Sequence, residues 1–194
     1  MVRADEAVSL LSAFPAVLRP EVSAVLKLVP ASEHGPMRGS TVVHYDGEVL
    51  AVPTRVYFPE PSILRTMFLS GERADILSCL YSRHHDGIVR ERHVRRLLQS
   101  NYAWVPPFVV QLAGEYVLEI IEVLAANLDR LQTEPYRRFV AQNPDFVALT
   151  RQRVISYWDC YYRATHANLA EYAGTVVLEA LAGRATSRAR RASV

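Results

Sequence analysis

Residues 81–98, YSRHHDGIVRERHVRRLL, bring together three histidines, an aspartate and five arginines in eighteen positions. Histidine titrates near neutrality and ligates metals, and arginine holds carboxylate or phosphate. The stretch therefore has the residue types of a metal site, an anion site or a proton-handling centre. A second titratable group follows at Gln111, Glu115, Glu119 and Glu122, which fall within about 80° of each other at the helical period. Carboxylates stacked in this way repel unless cations face them, so they form either a solvated acidic stripe or a cation site. The candidate polar cluster is His84, His85, Asp86, Arg90, Glu115 and Glu119. A third group lies in VISYWDCYYR, residues 154–163, where Tyr157, Trp158, Tyr161 and Tyr162, with Trp104 upstream, make a candidate aromatic pocket. Rings at this spacing pack a core or a planar ligand, and each buried hydroxyl or indole N–H needs a partner.

Nucleophilic, phosphate and metal chemistries leave spacing signatures, and most are missing: there is no Gly-x-Ser-x-Gly, Walker loop, dinucleotide fingerprint, Cys-x-x-Cys or His-Glu-x-x-His. The doublet His85-Asp86 in a helical chain resembles the metal-dependent phosphohydrolases of the HD superfamily. That resemblance implies an upstream histidine, His34 or His44, and a downstream aspartate, Asp129 or Asp159, as the other ligands. Read from the residues alone, Asp86 before Gly87 ends one helix and caps the next, and neither metal nor cofactor is expected. Arg83, His84, His85, Arg92, Arg95 and Arg96 also make residues 83–96 a basic hairpin of the kind that meets nucleic acid. Against this stands a net charge of only +2, which supplies no global field for a polyanion.

Positioning these groups falls to helices. The 194 residues are half hydrophobic, enough for one compact domain. Neither a secretion leader nor an apolar run long enough to span a bilayer is found, so no membrane is expected and the cytoplasm is the expected compartment. Cys79 and Cys160 sit in apolar helical patterns and are expected as reduced core thiols. Lys27 is the only lysine among 22 basic residues, a bias expected of a GC-rich bacterial genome. Asp5 opens a first short helix that stops before Pro15, and Pro20 opens a second ending before Pro30. STVVHYDGEVLAVP reads as two strands joined at Asp46-Gly47, a hairpin over about 40–53 that must lie on the helices or on a partner. Residues 62–84 read as helical with an interruption at Ser70-Gly71.

In the helix expected from about Ile88 to Ser100, Val94, Leu97 and Leu98 share one face and Arg90 falls on it, whereas Arg92, Arg95 and Arg96 fall opposite. Arg90 is thus expected to be internal and held by a carboxylate, Glu115 or Glu119, and the other three to be exposed and dispensable. The pattern Asp86-x-x-Val89-Arg90 between two amphipathic helices is similar to one HEAT repeat, over about 28 residues. One long helix is expected from Pro106 or Pro107 to about Leu131, another from Asp145 to about Thr165, and a last one from Asn168 to Ala182 with Gly183 as its C-cap.

The fold class read from the sequence is a mainly α, single-domain helical bundle over residues 1–183, carrying a HEAT-like helical hairpin and a small N-terminal β-hairpin, followed by a flexible basic tail, 184–194. The expected function is a non-catalytic helical module that binds a protein partner or itself, most simply as a homo-oligomer. Nucleic-acid binding through residues 83–96 and HD-type phosphohydrolysis are the alternatives.

Overall fold

A computed structural model describes residues 2, 4–32, 38–69 and 71–183. Over these residues the chain is mainly helical with one two-stranded antiparallel sheet near the N-terminus, the fold class expected from the sequence. It divides into two compact units, Met1–Val109 and Val110–Val194. His34 and the tail 184–194 lie outside the described residues.

In the first unit, α1 (Ala4–Leu11) stops short of Pro15, and Pro20 stands in the first turn of α2 (Arg19–Leu26), where its missing N–H costs nothing. Strands β1 (Arg38–Tyr45) and β2 (Glu48–Arg55) are joined by Asp46-Gly47, both at positive φ (45° and 86°), as a type I′ turn requires. Val43 faces Leu50 across the ladder, and both are buried with Val52 on the inner face; Val42 and Val49 remain exposed on the outer one. Ala51 N–H donates to Ser12 O at 2.9 Å, so the hairpin is tied to the helices as a lone hairpin must be. After the Pro-rich turn come α3 (Ile63–Thr66), α4 (Gly71–Tyr81) and α5 (Gly87–Leu97). The fourth helix is central: every residue from Ala74 to Tyr81 is buried, and α2 and α5 pack on it. Phe14 stacks on Phe108 at 5.0 Å and meets the edge of Trp104 at 5.8 Å, which closes the core of this unit.

The expected long helix from Pro106 to Leu131 is three: α6 (Pro106–Ala113), which straddles the division, then α7 (Leu118–Ala125) and α8 (Leu128–Leu131). The chain leaves helical geometry at Gly114, where a Cβ would stand 3.3 Å from Thr150 Cγ2, so close packing selects a residue of low helix propensity. At the next break Asn127 turns its side-chain amide back onto Val123 O at 2.8 Å. Helices α9 (Glu134–Gln142) and α10 (Pro144–Tyr157) follow. The helix expected to run on to Thr165 instead widens into a π turn at Trp158–Tyr162, with Arg163 N–H bonding Trp158 O five residues back at 2.8 Å. The extra residue in that turn shifts the register, leaving Tyr161 65% exposed and placing Cys160 at the surface rather than in the core. Helix α11 (Ala173–Leu181) packs on α7, α8, α9 and α10 and ends at Gly183 with φ 72°, as a left-handed C-cap does.

Candidate functional site

The His-rich stretch is the corner between α4 and α5. Asp86 is the N-cap of α5: its Oδ1 accepts the Ile88 N–H at 2.8 Å, and its own N–H donates to His84 Nδ1 at 3.1 Å. His84 Nε2 lies 3.1 Å from Phe58 O. Since Nδ1 accepts, Nε2 carries the proton, and the ring is a neutral imidazole with both nitrogens used. Burial and the adjoining His85 ring, 4.2 Å away between centroids, hold His84 below the ordinary histidine range. His85 is exposed and stacks on Tyr57 at 5.3 Å.

Two arginines of the stretch are internal, and both serve main-chain carbonyls. Arg90, 1% exposed, sends Nη1 to His84 O and His85 O, each at 2.8 Å. Arg83, equally buried, donates from Nε to Pro53 O at 3.1 Å and from Nη2 to Thr54 O at 3.0 Å. Val56 N–H donates to Arg83 O at 2.9 Å and His85 N–H to Val56 O at 3.0 Å, so the end of β2 is riveted to the corner by backbone and side chain together. Arg92, Arg95 and Arg96 are exposed as expected, but each is engaged: Arg92 with Glu60, Arg95 with Glu91, and Arg96 with the buried carboxylate of Asp75 at 3.0 Å. The expectation that all three are dispensable is therefore narrowed to Arg95.

One constellation escaped the sequence reading. His93 places Nδ1 3.2 Å from Ser78 Oγ and Nε2 3.1 Å from Glu60 Oε1, in the order serine, histidine, carboxylate. The order is that of a nucleophile, its base and an orienting acid. Burial decides against that chemistry, because Ser78 is 1% exposed in the middle of α4 and its hydroxyl also lies 2.9 Å from Ala74 O. The group is a clamp that fixes the Glu60 loop to two helices. Glu60 is thirty-three residues from His93 in the chain, so no local spacing announces the pair.

Comparison with known protein families, curated proteins and solved structures finds no match. The site must be judged by its own geometry.

Among the described residues, no three His, Cys, Asp or Glu side chains gather into a group able to hold a metal ion. Of the expected polar cluster, His84, His85, Asp86 and Arg90 share the corner in the first unit, while Glu115, in the segment between α6 and α7, and Glu119, in α7, belong to the second. Glu115 is buried with Gln111, and Glu119 and Glu122 are exposed, so the acidic stripe expected on one continuous helix is divided.

The expected aromatic residues fall in both units. Trp104 is buried in the first unit between Phe14 and Tyr102, whose ring it stacks at 5.4 Å. Tyr157, Trp158, Tyr161 and Tyr162 do come together, joined by Tyr116, His166 and Tyr172. Tyr162 stacks on Tyr172 at 5.6 Å and its hydroxyl donates to Tyr116 O, while Trp158 Nε1–H donates to His166 O at 2.7 Å. The Tyr162 hydroxyl and the Trp158 indole N–H are thus satisfied by the chain itself. Burial beside Tyr162 pushes the Tyr172 hydroxyl up to about 12, which keeps it a neutral wall residue.

The two buried histidines set an acid limit. His93, like His84, is held below its ordinary range chiefly by burial, with Glu60 opposing the shift. A group whose folded pKa is depressed gives stability that is complete above its unfolded value, about 6.5, and is lost as pH falls through the folded value. The urea midpoint is therefore expected to be level from about pH 8 to 7 and to fall between about pH 6 and 5. A midpoint that stays level or rises on acidification would contradict the neutral form assigned to His84.

Proposed function

We propose that the protein is a non-catalytic helical module that docks on a protein surface through α3. The observation that carries this reading is the exposure of that helix and the turn after it: Phe68 is 87% exposed, Ile63 82%, Leu64 78% and Met67 57%. At about 100° per residue these four positions fall within an arc of about 140°, so they form one continuous face. Isolated exposed apolar residues are ordinary, but a contiguous apolar face of this kind on a soluble surface marks an interaction site. His84, Asp86, Arg90, His93 and Glu60, by contrast, are engaged in capping, carbonyl binding and loop clamping. Among the described residues no helix is long and apolar enough to cross a membrane.

The reading is tested with a photo-crosslinking residue in place of Leu64, activated in the producing cells, with one at the exposed Val17 as control. Discrete adducts to an identified protein or to the chain itself, formed from position 64 and lost when Phe68 is replaced by Ser, are the expected result. Absence of adducts at 64 overturns it.

A further inference from the structure

We infer that the occupant of the α3 face is a second copy of this chain, docked about a two-fold axis so that Ile63, Leu64, Met67 and Phe68 of each copy cover the same residues of the other. This rests on the reading of α3 as a docking surface and names its partner.

The first argument is area. Four large side chains exposed to this degree present about 500 Å² of apolar surface on one face, so two copies face to face bury about 1,000 Å², the lower bound for a specific interface. An isologous contact needs only that the patch be complementary to itself, and an uncharged face satisfies this without a matched partner elsewhere. Arg65 is the one charged residue of the short helix, about 200° round from Ile63 and so at the rim rather than in the face. Like charges on the two copies are thereby kept from the centre of the contact.

The second argument is rigidity at the stem. Pro59 O accepts the Tyr81 hydroxyl at 2.7 Å, and Glu60 is held by both His93 and Arg92, so the segment leading into α3 is fixed to α4 and α5. On the other side the chain enters α4 at Gly71, and Arg73 of that helix pairs with Glu21. An apolar turn held in this way is ordered before it meets its partner, which lowers the entropic cost of association. The Ser78–His93–Glu60 clamp thus acquires a purpose: it presents the docking helix. A net charge of only +2 gives the chain little long-range pull toward an anionic surface instead.

The test uses the full chain. Sedimentation equilibrium over about 1–200 µM is expected to show a reversible dimer with a dissociation constant of about 1–100 µM, as befits a small interface. The Leu64→Asp/Phe68→Asp double variant is expected to dimerise at least about 100-fold more weakly, because burying two unpaired carboxylates per copy is costly. Circular dichroism and an unchanged urea midpoint establish that the double variant is folded, as expected for substitutions at exposed positions; Val17→Asp, exposed elsewhere, leaves the dimer intact. A second arm places cysteine at position 68 in a Cys160→Ser background, and mild oxidation is expected to give a disulfide-linked dimer. A wild-type chain that is monomeric throughout, or a dimer untouched by the double variant, overturns the proposal. If the chain is monomeric while position 64 crosslinks to a different, identified protein, the self-pairing fails and the docking reading stands; if position 64 crosslinks to nothing, both fail.

Discussion

Replacing Arg90 by Ala lowers the stability of the first unit by about 3 kcal/mol or more, whereas replacing Arg95 by Ala changes it by no more than about 0.5 kcal/mol. The two residues stand five apart on α5 and look alike in the string. Arg90 is enclosed and supplies the donor for two carbonyls, those of His84 and His85, at the tightest point of the α4–α5 corner. Truncation leaves both acceptors short of a donor away from water and opens a void the size of a guanidinium. Arg95 meets only Glu91, one turn back on the same helix and in solvent, where such a pair is worth little. Urea titration of the two variants checks the contrast, with equal slopes expected if only stability changes. Equal midpoints would mean that Arg90 is not the structural member of the stretch. Retention of stability with loss of polyanion binding in the Arg95 variant would restore the nucleic-acid reading of residues 83–96.

What could be read from the sequence divides by range. Asp86-Gly87 and Asp46-Gly47 act within three or four residues, so the cap and the type I′ turn were legible and stand as expected. The internal position of Arg90 was legible too, because helical periodicity assigns a face without needing to know what packs there. The two carbonyls it donates to were not, since carbonyls carry no letter in the sequence.

The failures share a cause: long periodic runs were continued through residues whose local choice is set by a distant neighbour. Gly114 ends α6 where Thr150 crowds it, and the π turn at Trp158–Tyr162 inserts one residue into the register of α10. Tyr161 and Cys160, expected in the core, lie in that turn and are exposed. The His93–Glu60 contact was hidden because it joins residues thirty-three apart in the chain, and the exposure of Ile63, Leu64, Met67 and Phe68 is set by what does not pack on them.

The aromatic wall of the second unit gives the other large effect. Gly174→Ala is expected to destabilise the unit by about 2 kcal/mol, although in an open helix the same change would stabilise by about 1. A Cβ at position 174 would stand 2.7 Å from Tyr172 Cε1 and 2.9 Å from Val154 Cγ1, both inside van der Waals contact. Neither neighbour can retreat cheaply. Tyr172 is buried and stacked on Tyr162, whose hydroxyl is tied to Tyr116 O, and Val154 is buried in the same cluster. Gly183 provides the control: its φ of 72° makes alanine strained by about 1 kcal/mol, but nothing lies within 4 Å of a Cβ there, so no neighbour shifts. Val154→Ala removes one of the two obstructing groups. The Val154→Ala/Gly174→Ala double variant should therefore lose less stability than the sum of the two single losses, a coupling expected for neighbours that share one space. Gly174→Ala as stable as the parent, with additive behaviour in the double variant, would show that helix propensity outweighs packing here and that the wall behind Tyr162 is loose rather than close-packed.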